Sequence, residues 1–283
     1  MVERLTQHIW FLPQDVNSYR PALGYVCSDR ESAIIDTGNS PDHLSLFYGS
    51  FRSIGLPDPE YAILTHCHWD HVFGLSGTPA KAIATERTNA CLMEMQRYDW
   101  TDAAMLARIE EGTETPFNME MIKREMPMRH SFKVHTADVT YGERCRLRLN
   151  DIYCEMYHVG GPHSSDSAIV YIPEDKVLFV GDCCEEDVYH GENGSMQYSE
   201  LDRVAKFLGS FDADWVVTGH GSPTRKDIFM QALEARLTIG KVLVGITDTK
   251  KALTAVKKLL GRTLNSNEEL LVTRFVCANT LHA

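Results

Sequence analysis

Thr65-His66-Cys67-His68-Trp69-Asp70-His71 is the stretch that decides how this chain is read. Four side chains of metal-ligand type fall within six residues: His66, His68, Asp70 and His71. The apolar run Tyr61-Ala62-Ile63-Leu64 leads into them. That run predicts a short buried strand, which puts the ligands at its carboxyl end. In extended chain, residues two apart face the same way, so His66, His68 and Asp70 are expected to converge on one spot. His71 follows as the chain begins to turn, and Gly74 permits a tight turn there. Imidazole nitrogen and carboxylate oxygen are the donors that zinc and similar divalent ions take.

A two-ion site needs about six or seven ligands. Three positions downstream fit. His163 lies in Gly160-Gly161-Pro162-His163-Ser164, after the strand-like stretch from Ile152 to His158. Asp182 follows the apolar run from Lys176 to Val180, and His220 in Gly219-His220-Gly221 follows Trp215 to Thr218. Each stands at a glycine-containing turn after an apolar run. Chance clustering of histidines on a surface loop does not produce this repetition, so four strand ends are expected to deliver the ligands to one edge of a sheet sandwich.

The pattern His-x-His-x-Asp-His, followed by a single His, a single Asp and a single His, resembles the metallo-β-lactamase superfamily of hydrolases. The resemblance runs from about Thr6 to His220 and includes Ile34-Ile35-Asp36-Thr37-Gly38, which looks like that family's early strand ending in Asp-x-Gly. It implies an α/β fold, a four-layer αβ/βα sandwich; the residues themselves add a helical insertion at about 85–130 and a helical C-terminal segment at about 224–283, all expected in one domain over 1–283. It also implies two divalent metal ions. His66, His68 and His163 would hold the first, Asp70, His71 and His220 the second, and Asp182 would bridge them. Asp36 would position the loops from behind. Two such ions carry four positive charges, and Asp70, Asp182 and a bridging hydroxide remove three. The residue of about plus one suits a developing oxyanion or an anionic group.

The chemistry expected from such a site is hydrolysis. Water held between two such ions has its pKa lowered to roughly 7, so hydroxide is available at neutral pH. Asp70 is the expected catalytic residue, accepting the nucleophile's proton and passing it on. Zinc is the first choice of metal, although His/Asp ligation also accepts iron and manganese.

Departures from particular branches narrow the substrate. A bridging Asp182 is unlike true β-lactamases of this superfamily. His68 stands where oxygen-reducing di-iron relatives carry glutamate. Glyoxalase II relatives show His-Thr where this chain has His163-Ser164. Lactonase relatives carry a tyrosine where this chain has Glu185. The expected substrate is a small ester, lactone or thioester. The alternatives are a phosphodiesterase or nuclease, an iron-dependent redox enzyme of sulfur dioxygenase type, and a non-catalytic binding protein stabilised by metal.

Composition sets outer limits. The formal charge of −11 opposes a dedicated nucleic-acid surface, where basic excess does most of the binding. No apolar run approaches the length of about 18 residues that a membrane span needs. Met1 to His8 shows no basic region followed by an apolar stretch, which predicts no secretory signal and a cytoplasmic protein. The eight cysteines form no Cys-x-x-Cys pair and are expected to be reduced thiols. Strand alternation turns Cys67 away from His66 and His68. Cys183-Cys184 follows Asp182, and packing is its expected role. Ser164, Ser165, Asp166 and Ser167 are expected to satisfy turn backbone groups or orient imidazole rings.

The chain begins with strands at Thr6 to Leu12, Gly24 to Ser28 and Ser32 to Asp36, then a helix from Asp42 to Ile54. After a short strand at Ala80 to Ala84, the stretch from Thr85 to Met128 reads as two or three helices, the last capped by Asn118 and stopped by Pro127. Strands are expected to resume at Phe132, Arg144, Ile152, Ala168 and Val177. A C-terminal helix from Thr249 to Leu260 is expected to bury Ala252, Val256, Leu259 and Leu260 on one face. Seven of the eleven methionines fall in the helical insertion: Met93, Met95, Met105, Met119, Met121, Met126 and Met128. Such flexible apolar side chains suit a layer packed on the body, a lid over the metals, or a homodimer surface. Glu185, Tyr189, His190 and Tyr198 are candidate lining residues of a second wall. The remaining histidines, His43 among them, lack ligand spacing.

Overall fold

The computed structural model describes residues 1–282, and the chain divides into two compact units. The first comprises Met1–Val159, Asp166–Asp182 and Asp212–Thr224. It is built on two mixed sheets, the core of an α/β sandwich flanked by helices.

The first sheet is seven-stranded and runs in sequence order: β1 (Glu3–Arg4), β2 (Ile9–Leu12), β3 (Leu23–Cys27), β4 (Ser32–Ile35), β5 (Tyr61–Ile63), β6 (Lys81–Thr85) and β7 (Val139–Tyr141). Its first pairings are antiparallel, while β4 to β7 run parallel. Parallel neighbours present their carboxyl ends at one edge. Asp36 and the metal-ligand loop leave the sheet there, just past β4 and β5. The second sheet is six-stranded, in the order β13 (Thr224–Arg225), β12 (Trp215–Thr218), β11 (Val177–Gly181), β10 (Ala168–Ile172), β9 (Ile152–His158) and β8 (Arg144–Leu149). Within it β11 and β12 are parallel, so Asp182 and His220 again follow adjacent carboxyl ends.

Period-two alternation explains how the first sheet is held. Ala33, Ile35, Ile63 and Ile83 face inward, where they join Val170, Ile172, Val177, Phe179 and Val217 of the second sheet in one buried cluster. Ile34, Ala62, Ala82 and Ala84 face outward and pack under helices. The small alanines on this face leave room for α1 (Pro41–Arg52), which buries Leu44, Phe47 and Phe51. Ser40 starts α1 by accepting the His43 amide, and Pro41 suits the first helical turn because it has no amide hydrogen to lose there.

The expected helical insertion is α3 (Glu86–Met95), α4 (Asp102–Glu110) and α5 (Pro116–Glu125). Met105 and Met119 lie in the same buried cluster as Leu92, Trp100 and Ile122, and Met95, Met121 and Met126 pack against it. These methionines therefore fill a layer laid on the first sheet, whereas Met93 and Met128 are exposed. Two local readings change. Thr115, not Asn118, caps α5: its hydroxyl accepts the Asn118 amide, and Pro116 occupies the first helical position. No strand begins at Phe132; its ring packs against Phe73 and Trp100, and the next strand is β7.

The second unit comprises Gly160–Ser165, Cys183–Phe211 and the chain from Arg225 onward. It contains α6 (Tyr198–Gly209), α7 (Lys226–Leu243), α8 (Thr249–Leu260) and α9 (Ser266–Leu281), the expected C-terminal helical region. Asn265 and Glu268 close a reciprocal capping box at the start of α9. Gly240 lets α7 approach α9: a Cβ there would sit 2.6 Å from the Phe275 ring. Ala252 and Val256 are buried as expected, but Leu259 is exposed, so the apolar stripe of α8 is narrower than its sequence suggests. Glu185 pairs with Arg236 at 3.3 Å, and His190 with Asp187 at 2.6 Å. Among the described residues, no helix is long and apolar enough to cross a membrane.

Candidate metal centre

The site in the first unit starts where β5 ends. The chain stays extended through His68, whose φ of −62° and ψ of 144° make it the residue before a helix. Trp69–Val72 then form the single turn α2, followed by a 3-10 turn over Phe73–Gly77. Asp70 therefore stands on a helix and not on extended chain, and the alternation expected through Asp70 stops at His68. The helical turn places Asp70 and His71 side by side, so both reach inward.

Six of the proposed ligands belong to this unit: His66, His68, Asp70, His71, Asp182 and His220. His66, His71 and Asp182 each bring a ligand atom within 4.8 Å of the others, and so do Asp70, His71 and His220. The His71 Nε2 atom is 3.3 Å from Asp182 Oδ2 and 3.6 Å from Asp70 Oδ2. The His220 Nε2 atom is 2.9 Å from Asp70 Oδ2 and 3.4 Å from Asp182 Oδ2. The His66 ring lies 4.6 Å from that of His68 and 4.2 Å from that of His71. His163 stands on the Gly160–Ser165 segment of the second unit, where its Nδ1 is 2.6 Å from the Glu186 carbonyl oxygen. A donor on Nδ1 leaves Nε2 as the ligand atom.

Asp36 organises this arrangement from behind. It sits at the end of β4 with a left-handed backbone (φ 59°) and is 3% exposed. Its Oδ1 accepts the Thr65 amide at 2.8 Å, and its Oδ2 accepts the Thr65 hydroxyl at 2.8 Å and lies 2.7 Å from His71 Nδ1. Because the Thr65 hydroxyl donates to Asp36, it is free to accept from His66 Nδ1, 3.1 Å away. One carboxylate thus sets the ring tautomer of His71 directly and that of His66 through a hydroxyl, which turns both Nε2 atoms toward the cluster. Thr37 adds a second hold: its amide and hydroxyl both donate to the His71 carbonyl, at 2.8 and 3.0 Å. The Asp-x-Gly motif therefore grips both the side chain and the backbone of one ligand.

Close packing at the strand ends shapes the remainder. A Cβ on Gly219 would collide with Asp182 Oδ1 and lie 2.7 Å from His71 Cε1, so glycine is what lets the β12 turn come this near.

Burial opposes charge on Asp70 and Asp182, yet the His71 and His220 imidazoles outweigh it. They hold Asp70 below the usual carboxylate range and Asp182 well below it. Burial also opposes protonation of His71 and His220. The carboxylates of Asp70 and Asp182 override it, with Asp36 adding at His71, and raise His71 well above its usual value and His220 to about 10. Without a metal, protons bind these acids and imidazoles together. A divalent cation at these donors would take over the same task. The fit is supported by His71 Nε2, which is buried, faces two carboxylates and makes no aligned hydrogen bond. The donor chemistry of the His/Asp cluster is that of a candidate metal site.

A wall that sequence reasoning missed stands beside it. Tyr19, on the loop between β2 and β3, places its ring 4.9 Å from that of His220 and stacks on Trp69 at 6.1 Å and 15°. Phe117 of α5 meets the Tyr19 ring edge-on at 4.9 Å. Tyr19 has a left-handed backbone (φ 52°), rare for a large side chain, which turns the ring to that side. No spacing rule points to a single tyrosine in a loop; its odd backbone is visible only in three dimensions. Cys67, as expected, points away from His66 and His68, and its amide donates to Asp166 Oδ2 at 2.8 Å.

Residues 22–141 match the family model described as the metallo-beta-lactamase superfamily. The α/β sandwich described above is the fold that this match implies. Solved structures agree in architecture. The DIM-1 metallo-beta-lactamase superposes with a TM-score of 0.57 at 19% identity, covering 83% of this chain and 95% of that one. A metallo-beta-lactamase from Pontibacter korlensis gives 0.56 at 16% identity, with 83% and 97% covered. The inverting sec-alkylsulfatase Pisa1 from Pseudomonas sp. gives 0.67 at 12% identity, covering 99% of this chain, which spans 50% of that protein. Identities this low establish the shared fold.

Proposed function

We propose that this protein is a binuclear metal-dependent hydrolase acting on a small carboxylic ester, lactone or thioester. The observation that carries the reading is the convergence of Asp70, His71, Asp182 and His220, with nitrogen–oxygen distances of 2.9 to 3.6 Å. His66, His68 and His163 would hold one ion and Asp70, His71 and His220 the other, with Asp182 serving both. Two divalent ions at these donors supply Lewis acidity and a water acidic enough to ionise near neutral pH, with zinc the preferred metal.

The chain's own residues supply the rest. Asp70 takes up the proton of the attacking water on its carboxylate and hands it to the leaving group. Asp36 and Thr65 keep His71 and His66 in the ligating tautomer. Tyr19, Trp69 and Phe117 offer an apolar face next to His220, which favours a substrate with a hydrocarbon or aromatic portion.

The test joins metal analysis to a substrate panel. Protein purified without chelator or nickel affinity should carry about two zinc ions per chain and turn over esters or lactones. His66→Ala and His163→Ala should lose both metal and turnover. The panel includes a phosphodiester and a secondary alkyl sulfate, the latter because the alkylsulfatase likeness covers nearly the whole chain. Exclusive turnover of either would reassign the substrate class. Iron with oxygen uptake and no hydrolysis would move the protein to a redox role.

A further inference from the structure

On the side of the loop away from the His/Asp cluster, a second group of metal-ligand side chains comes together. Cys67, Cys91 and Asp166 each place one ligand atom within 4.8 Å of the others. They come from three separate places in the first unit: the ligand loop, the middle of α3, and the turn before β10. Asp166 is 2% exposed, and its Oδ2 already accepts the Cys67 amide at 2.8 Å, so its position is fixed. The Thr88 hydroxyl of α3 donates to the Asp166 carbonyl at 3.4 Å and ties Cys91's helix to the same turn. Both cysteines are free thiols, partly exposed to solvent.

We propose that Cys67, Cys91 and Asp166 form a separate binding site for a single thiophilic divalent ion, zinc first. Two sulfurs and one carboxylate oxygen supply three corners of a tetrahedron, and water takes the fourth through the exposed edge. Zinc–sulfur bonds of about 2.3 Å require the two sulfurs to sit roughly 3.8 Å apart, a closure that side-chain rotation can provide from the observed spacing. Binding replaces the two thiol protons, which leave to solvent, and the thiolates and carboxylate more than neutralise the dication. Such an ion would pin Cys67, the residue between His66 and His68, to α3. None of its ligands is shared with the hydrolytic centre, so it stands whether or not that reading holds.

Cobalt(II) substitution of the whole, reduced protein tests this, because only thiolate ligands give an intense sulfur-to-cobalt charge-transfer band. His/Asp ligation gives weak visible bands alone. The expected result is a charge-transfer band in the wild type that is lost in Cys91→Ser and in Cys67→Ser but retained in Cys184→Ser. Bound cobalt should fall by one equivalent in Cys91→Ser while the weak visible bands persist. Absence of the band, its survival in Cys91→Ser, or a Cys67–Cys91 disulfide in place of bound metal would overturn the proposal. If Cys91→Ser does not fold, cadmium-113 NMR on the wild type decides: a resonance shifted by two thiolates supports the site, and resonances of nitrogen and oxygen ligation alone refute it.

Discussion

Asp36 Oδ2 and His71 Nδ1 lie 2.7 Å apart in a region closed to solvent, joining the end of β4 to a proposed ligand on the α2 turn. The carboxylate makes the imidazole a better donor and fixes which nitrogen faces the cluster. Asp36→Asn keeps the shape and tolerates the left-handed backbone at this position. Its loss of charge should weaken metal affinity by about 10- to 100-fold. Competition with a chromophoric chelator measures this directly, and unchanged affinity would remove Asp36 from the site.

Thr65 acts through its hydroxyl, which is set between Asp36 and His66. Thr65→Val preserves the branched shape but leaves His66 Nδ1 with no acceptor there. About a tenfold loss of metal affinity is expected, with Thr65→Ser restoring most of it. Equal behaviour of the valine and serine variants would show that only packing matters.

Tyr19 should govern recognition of the substrate's apolar portion. Tyr19→Ala removes the ring beside His220, and an aromatic contact of this kind is worth about 0.5–1.5 kcal/mol beyond the area it buries. For an aryl ester KM should rise several-fold with kcat little changed. An acetate ester of a small alcohol should be nearly indifferent. Tyr19→Phe should behave as wild type. A fall in kcat alone, for both esters, would assign Tyr19 to the chemistry instead.

His43 carries a pH dependence of stability. Burial is the main cause that lowers its pKa to about 3, and Arg20 and His71 add to it. In the unfolded chain it titrates near 6.5. Between these values the unfolded state holds the extra proton, so the contribution of neutral His43 is complete above 6.5 and is lost as pH falls toward 3. The loss is on the order of a few kcal/mol. Chemical denaturation at pH 7.5 and pH 5 should show a larger drop for wild type than for His43→Gln. That comparison isolates His43, because the raised His71 and His220 contribute with the opposite sign in both proteins.

The sequence was most legible where one rule governs a whole stretch. Short apolar runs that end in glycine-containing turns mark β5, β11 and β12, and alternation marks the antiparallel β9, so all four fall within a residue or two of expectation. Period two also placed Cys67 on the far side of its loop. It failed at Asp70, because the chain winds into a helical turn at Trp69, and nothing in six residues of mixed His, Cys, Trp and Asp marks where extension stops. Asn118 read as a cap by composition, yet Thr115 before a proline satisfies the same rule three residues earlier. Leu259 follows the helical period but lies beyond the width of the buried stripe. Tyr19 and the hydroxyl of Thr65 were not legible at all. Both act through contacts with residues far along the chain, and no local pattern encodes them.

The parallel pairing of β11 with β12 has a consequence in time. Asp182 leaves one of these strands and His220 the other, and the segment Cys183–Phe211 is spun out between them. A chain growing on the ribosome shows Asp36 and the His66–His71 loop early, but it lacks the last donor until synthesis has passed β12. Until then the nascent chain carries the proposed donors up to Asp182 but lacks His220. On the proposed ligand set, completion of the centre would wait on His220, far along the chain from His66.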